Sequence, residues 1–152
     1  MSHSIISINI TAQSQSQHSL KVSLDNLHLR TIDMEPDEKE THTIEYGIEY
    51  AKAKYKSLLF DWQGDECEQK FLHIKSITVD GKPINMDKIM SRPNQTDYIK
   101  SLDPKELRHT LLNAGTKFGW YGQYQLDVLF GDRKDYSMDP DDPKVLMGML
   151  HL

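Results

Sequence analysis

The chain has a single cysteine, Cys67, so no internal disulfide holds it together and its stability must come from packing. It has no excess of positive charge. Its 18 Lys and Arg are outnumbered by 23 Asp and Glu, a formal net charge of −5. That balance argues against sequence-independent nucleic-acid binding, which needs a basic patch to displace the counterions of phosphates. No apolar run approaches the ~20 residues of a membrane span. Residues 1–5 show no basic segment ahead of an apolar one, so no signal peptide is read and synthesis in the cytoplasm is expected. There is no phosphate-cradling glycine loop, nucleophile elbow or dinucleotide fingerprint. The seven histidines (His3, His18, His28, His42, His73, His109 and His151) make no zinc-like local pair. Cys67 has no partnered histidine in its local pattern, as a catalytic thiol requires. No internal repeat is present. These absences remove the readily recognised enzymes and leave binding or building as the expected role.

What the sequence does have is alternation. With 38% hydrophobic and 27% charged residues, the chain is polar for a globular domain yet not polar enough for general disorder. Ile6, Ile8, Ile10 and Ala12 alternate with Ser7, Asn9 and Thr11, as in a half-buried strand. A polar connection at Gln13–His18 follows. Leu20, Val22 and Leu24 alternate again, Asp25-Asn26 signals a turn, and Leu27, Leu29 and Thr31 form the returning arm. Thr31–Glu40 reads as an acidic loop and Thr41–Tyr50 as a strand. Ala51–Lys56 fits strand or helix, and the clustering of β-branched and aromatic neighbours favours strand. Leu58, Phe60 and Trp62 alternate up to a loop at residues 63–68. Phe71–Val79 then runs to an Asp80-Gly81 turn signal. These two runs are expected to pair as a hairpin.

From residue 85 the character changes. Asn85–Ser101 is irregular. Asp103-Pro104-Lys105-Glu106 has the residues of a helix start, with Gly115 as its stop. Tyr124, Leu126, Val128 and Phe130 alternate as one more strand, and Asp142-Pro143 opens a last short turn. The expectation is a mainly β protein: an antiparallel, jelly-roll-like β-sandwich over residues 4–84, with a small C-terminal α/β extension over 85–152.

Three clusters carry candidate chemistry. Asp61, Asp65, Glu66 and Glu68 flank a loop beside Trp62. Carboxylates of this kind hold a hard cation such as calcium, an ion so held binds sugar hydroxyls, and an indole face packs on a pyranose. Against this, Trp62 continues the Leu58–Phe60 face and so also reads as core. Trp120 and Tyr121, in FGWYGQY, fit an exposed binding platform or rings that cap the core. Asp132, Asp135, Asp139, Asp141 and Asp142 crowd a third segment, which lacks the spacing of a helix-loop-helix calcium loop and contains Arg133 and Lys134.

The segments LKVSLDNLHL (20–29), SLLFDW (57–62) and FLHIKSITVDGKPI (71–84) resemble, in their order, the calcium-dependent xylan-binding carbohydrate modules of compact β-sandwich type. The resemblance implies a jelly roll with calcium-mediated glycan contacts from its loops. It departs from that pattern at Asp61-Trp62, where the modules carry an Asn-Asp pair. Residues 119–150 (GWYGQYQLDVLF, an acidic turn, and KVLMGMLHL) are similar to the ends of small virion proteins of tailed phages. Together these imply a non-enzymatic accessory protein of a virion. It would be bound to protein partners or to copies of itself, with Asp61, Trp62, Asp65, Glu68, Trp120 and Tyr121 as contact residues. A stand-alone calcium-dependent glycan-binding module is the alternative. No nucleic acid and no membrane enters either reading.

Overall fold

The computed structural model describes residues 2–87, 89–112 and 115–131. Ten strands and two short helices follow in order: β1 (Ser2–Ser14), β2 (His18–Leu24), β3 (Leu27–Met34), β4 (Glu40–Tyr50), β5 (Lys54–Gly64), β6 (Lys70–Val79), β7 (Lys82–Pro83), β8 (Met90–Pro93), α1 (Asp97–Ser101), α2 (Pro104–Leu112), β9 (Lys117–Phe118) and β10 (Gly122–Phe130). They form two antiparallel sheets packed as a β-sandwich. One sheet has the order β4-β1-β6-β7, with β9 also on β6; the other has the order β3-β2-β5-β10-β8.

Alternation drives this arrangement. Ile6, Ile8, Ile10 and Ala12 of β1 and Leu72, Ile74 and Ile77 of β6 are buried from one sheet. Leu20, Val22 and Leu24 of β2, Leu58, Phe60 and Trp62 of β5, and Tyr124, Leu126, Val128 and Phe130 of β10 are buried from the other. All belong to one cluster. Each fully buried side chain of this kind contributes about 1.5–3 kcal/mol, so the pattern itself selects which face of each strand turns inward.

Aspartates fix the turns. Asp25 adopts φ +50 and binds β5 twice: its N–H donates to the Ser57 carbonyl at 2.7 Å and its Oδ1 accepts the Ser57 N–H at 2.9 Å. Asp80 and Gly81 have φ +52 and +79, the positive pair that a two-residue hairpin between β6 and β7 requires. Asp80 reaches across to β1 in the same manner, donating to the Ile5 carbonyl and accepting the Ile5 N–H, each at 2.9 Å. The start of α2 matches its sequence signal, since Asp103 Oδ1 accepts the Glu106 N–H at 2.7 Å.

The structure corrects the sequence reading at several points. β5 and β6 do not pair as a hairpin. They lie in opposite sheets, and residues 65–69 cross between them. The boundary at 84/85 does not separate a sandwich from an extension. β10 pairs with β5 along its whole length, from Gly122↔Trp62 to Phe130↔Lys54, and lies between β5 and β8. Within Asn85–Ser101 the structure has β8 and α1, and β9 adds a further short strand. Strand structure resumes after a bend at Ala51 and Lys52, with β5 starting at Lys54. The aspartates at 132, 135, 139, 141 and 142, and the apolar end at 145–150, lie outside the described residues.

Candidate functional site

At one end of the sandwich lie the connections 15–17, 35–39 and 65–69 and the entry to β10. Most of the residues singled out from the sequence are here. Trp62 is fully buried. Its Nε1 donates to His18 Nδ1 at 3.0 Å, and its ring meets Tyr121 edge-on with centroids 4.6 Å apart. Tyr121 is 1% exposed, with its hydroxyl shared by Ser14 Oγ at 2.5 Å and Ser16 Oγ at 2.7 Å. Burial pushes the Tyr121 phenol above its ordinary value against the pull of these two serines. Trp62 and Tyr121 are therefore core residues, and neither ring face is open to a ligand. Trp120 is half-buried against Phe118 at 6.4 Å between centroids.

The carboxylates are dispersed. Asp61 alternates with buried Phe60 and Trp62, which places it on the outer face of its sheet between Lys21 and Gln123; its Oδ1 accepts from Gln63 Nε2 at 2.7 Å. Glu66 is paired with Lys70 at 2.6 Å, and that ammonium stands 5.1 Å from the Tyr121 ring centre. Asp65 and Glu68 are exposed, and the Asp65 carbonyl accepts from the Ser16 hydroxyl at 2.6 Å. Calcium takes six to eight oxygens. Among the described residues no three His, Cys, Asp or Glu side chains come together to hold a metal. As placed, Asp61, Asp65, Glu66 and Glu68 do not fit a calcium shell.

Cys67 joins this end to β1, with its Sγ 3.2 Å from Ser14 Oγ. Desolvation raises its pKa, but hydrogen bonds from the Ser14 and Ser16 hydroxyls and from the Gln15 and Ser16 backbone outweigh it and hold the thiol below its ordinary value.

The opposite end carries an open cleft of ≈ 570 Å³. The β2–β3 turn supplies Leu24, Asp25, Asn26 and Leu27, β4 supplies Tyr46, Gly47, Ile48 and Glu49, and His3 and Lys56 complete the wall. Leu24 and Ile48 are buried while Leu27 is 46% exposed, which gives the cleft an apolar floor with a polar rim. Gly47 lies under the exposed His3 ring, and a Cβ there would come within 2.6 Å of His3 Nε2, so the ring would have to shift. Asp25 is committed, through Ser57 and with Lys56 Nζ at 3.9 Å from its Oδ2. The side chains of Asn26, Tyr46 and Glu49 form no hydrogen bond or ion pair with other described residues. They are free to meet a ligand.

Sequence reasoning missed this cleft. It read Asp25-Asn26 only as a turn and Tyr46 only as a strand phase. The two segments are about 20 residues apart in sequence, and the register that brings β3 alongside β4 from opposite sheets is not written in either one. The available signal was Gly47, since a glycine inside a strand marks a close approach.

No family model matches the chain, and no curated protein matches it in sequence. A solved structure of vCBM60 in complex with galactobiose aligns over 82% of this chain and 99% of that one, with 8% identity and a TM-score of 0.46.

Proposed function

We propose that the protein is a non-catalytic binding module that takes a short saccharide in the cleft between the β2–β3 turn and β4. The observation that supports this is the cleft's make-up. Tyr46 and Leu27 offer apolar surface beside Asn26 and Glu49, whose hydrogen-bonding capacity is unspent. A pyranose has the same division, with apolar ring faces and a polar periphery. The volume lies within the 300–1,000 Å³ typical of small-ligand pockets. Glycoside hydrolysis needs two working carboxylates, and here Asp25 is engaged by Ser57 and Lys56, which leaves Glu49 alone. Calcium has no part in this reading. Assembly into a virion, or into a homo-oligomer, is not required by it.

The test is titration with a panel of neutral disaccharides, followed by the variants Tyr46→Ala and Asn26→Ala. Tyr46→Ala is expected to weaken the best sugar about tenfold, ~1.4 kcal/mol, and a chelator is expected to leave the affinity unchanged. Binding that survives Tyr46→Ala, or that vanishes with chelator, would place the site elsewhere. A panel with no binder would overturn the reading.

A further inference from the structure

Sheet edges are hazards, because a row of unpaired N–H and C=O groups templates another strand. Three edge elements here are blunted by shortness, lysine or proline, and a fourth edge, β3, is interrupted by a bulge against β2 where Val22 faces Arg30 and Ser23 faces His28. β7 is two residues, Lys82 and Pro83; β9 is two residues, beginning with Lys117; β8 is four residues, ending in Arg92 and Pro93. β4 differs. It is 11 residues long, contains neither lysine nor proline, and pairs with β1 from Ser2↔Tyr50 to Ala12↔Glu40 without a register shift. Among the described residues it has no strand on its other side.

The open side can be assigned. In an antiparallel strand, the N–H and C=O of one residue point the same way and alternate along the chain. The Thr43 carbonyl accepts from Arg30 Nη1 of β3, at 3.3 Å, and so faces away from β1. Thr41, Thr43, Glu45, Gly47 and Glu49 therefore share the side that no described strand pairs, and Arg30 caps the Thr43 carbonyl there. The charge of this edge is acidic. Glu40, Glu45 and Glu49 lie on β4, and Glu35, Asp37 and Glu38 lie in the loop before it, with Lys39, Arg30 and, beside Glu49, Lys56 as the nearby cations. Glu40 is occupied by His42 at 3.1 Å and by the Glu35 N–H at 2.9 Å, while Glu45 makes no such contact among the described residues. A second copy of β4 would bring these carboxylates against their own kind.

We propose that the free edge of β4 accepts a basic, extended segment of a partner protein as an added strand. The backbone of Thr41, Glu45 and Gly47 supplies the ladder, the carboxylate of Glu45 supplies the charge match, and Arg30 yields the Thr43 carbonyl. The inference is argued from the edge and not from the saccharide reading, and the two sites meet at Gly47, which also lines the cleft.

The probe is a peptide of about seven alternating lysines and valines. Its controls are an equally charged peptide in which proline replaces valine and an acidic peptide of alternating glutamate and valine. The Lys-Val peptide is expected to bind and to slow amide exchange at Thr41, Glu45 and Gly47, and both controls are expected to fail. Glu45→Pro removes an outward N–H and leaves the β1 ladder in place; it should cost about tenfold in affinity. Glu45→Lys, which keeps the backbone, should weaken the basic peptide and spare the fold. Equal binding of the proline peptide, or unchanged affinity in both variants, would overturn the proposal. So would a concentration-dependent dimer protected at the same amides, since a second copy would then be the occupant.

Discussion

Truncation after Lys100 is expected to give an unfolded chain rather than a smaller sandwich. The cut removes Phe118, Tyr121, Tyr124, Leu126, Val128 and Phe130, all of them buried. Their burial is worth roughly 9–18 kcal/mol together, against a whole-domain stability of about 5–15 kcal/mol. It also takes away the stacked Phe118–Tyr124 pair, with centroids 3.9 Å apart, and strips one whole side of β5. Circular dichroism and a thermal melt of residues 1–100 read the outcome directly. A cooperative melt near that of the full chain would show that β10 is an attachment after all.

The second large effect concerns Trp62. Trp62→Ala is expected to cost ~3–5 kcal/mol, because it empties a site with no exposure to water. It also leaves His18 Nδ1 without its donor, in a ring whose Nε2 has no hydrogen-bond partner among the described residues. Urea denaturation checks it, and a loss below about 1 kcal/mol would mean that the end around residues 15–17 and 65–69 is loosely packed.

The same pair makes stability depend on pH. Desolvation holds His18 below its ordinary value, opposed by the nearby Glu40 carboxylate, and a protonated ring would lose the acceptor that Trp62 uses. The unfolded chain therefore binds the proton more readily than the folded one, so stability rises with pH across this window. It is expected to be flat above about pH 7 and to fall as pH drops through ~6.5. His73, depressed by desolvation and by Lys117 and Lys75, adds to the same slope. His18→Gln should flatten the profile in part. A slope unchanged in that variant would show that His18 does not carry it.

Much of the fold was legible because side-chain period reports which face is buried. Ile6–Ala12, Leu20–Leu24 and Tyr124–Phe130 all lie on the faces their alternation assigns. The Asp25, Asp80-Gly81 and Asp103 signals also hold, since each depends on backbone conformation within a few residues. Period is silent about partners. It could not say that β5 and β6 belong to different sheets, nor that β10 completes β5 across some 60 residues of chain. Tyr121 precedes its strand and has no period to declare it buried, whereas Trp62 shares the phase of Leu58 and Phe60 and reads as core on that ground. β8 and β9 are too short to show alternation. The candidate site was the least legible part, because a turn and an edge strand assemble it only after both sheets have formed.

Backbone amide shifts of the full chain during titration with neutral disaccharides test the central claim most directly. Perturbations are expected to be confined to residues 24–27, 46–49, 3 and 56. Shifts centred on residues 61–69 and 119–121, with the cleft silent, would contradict it.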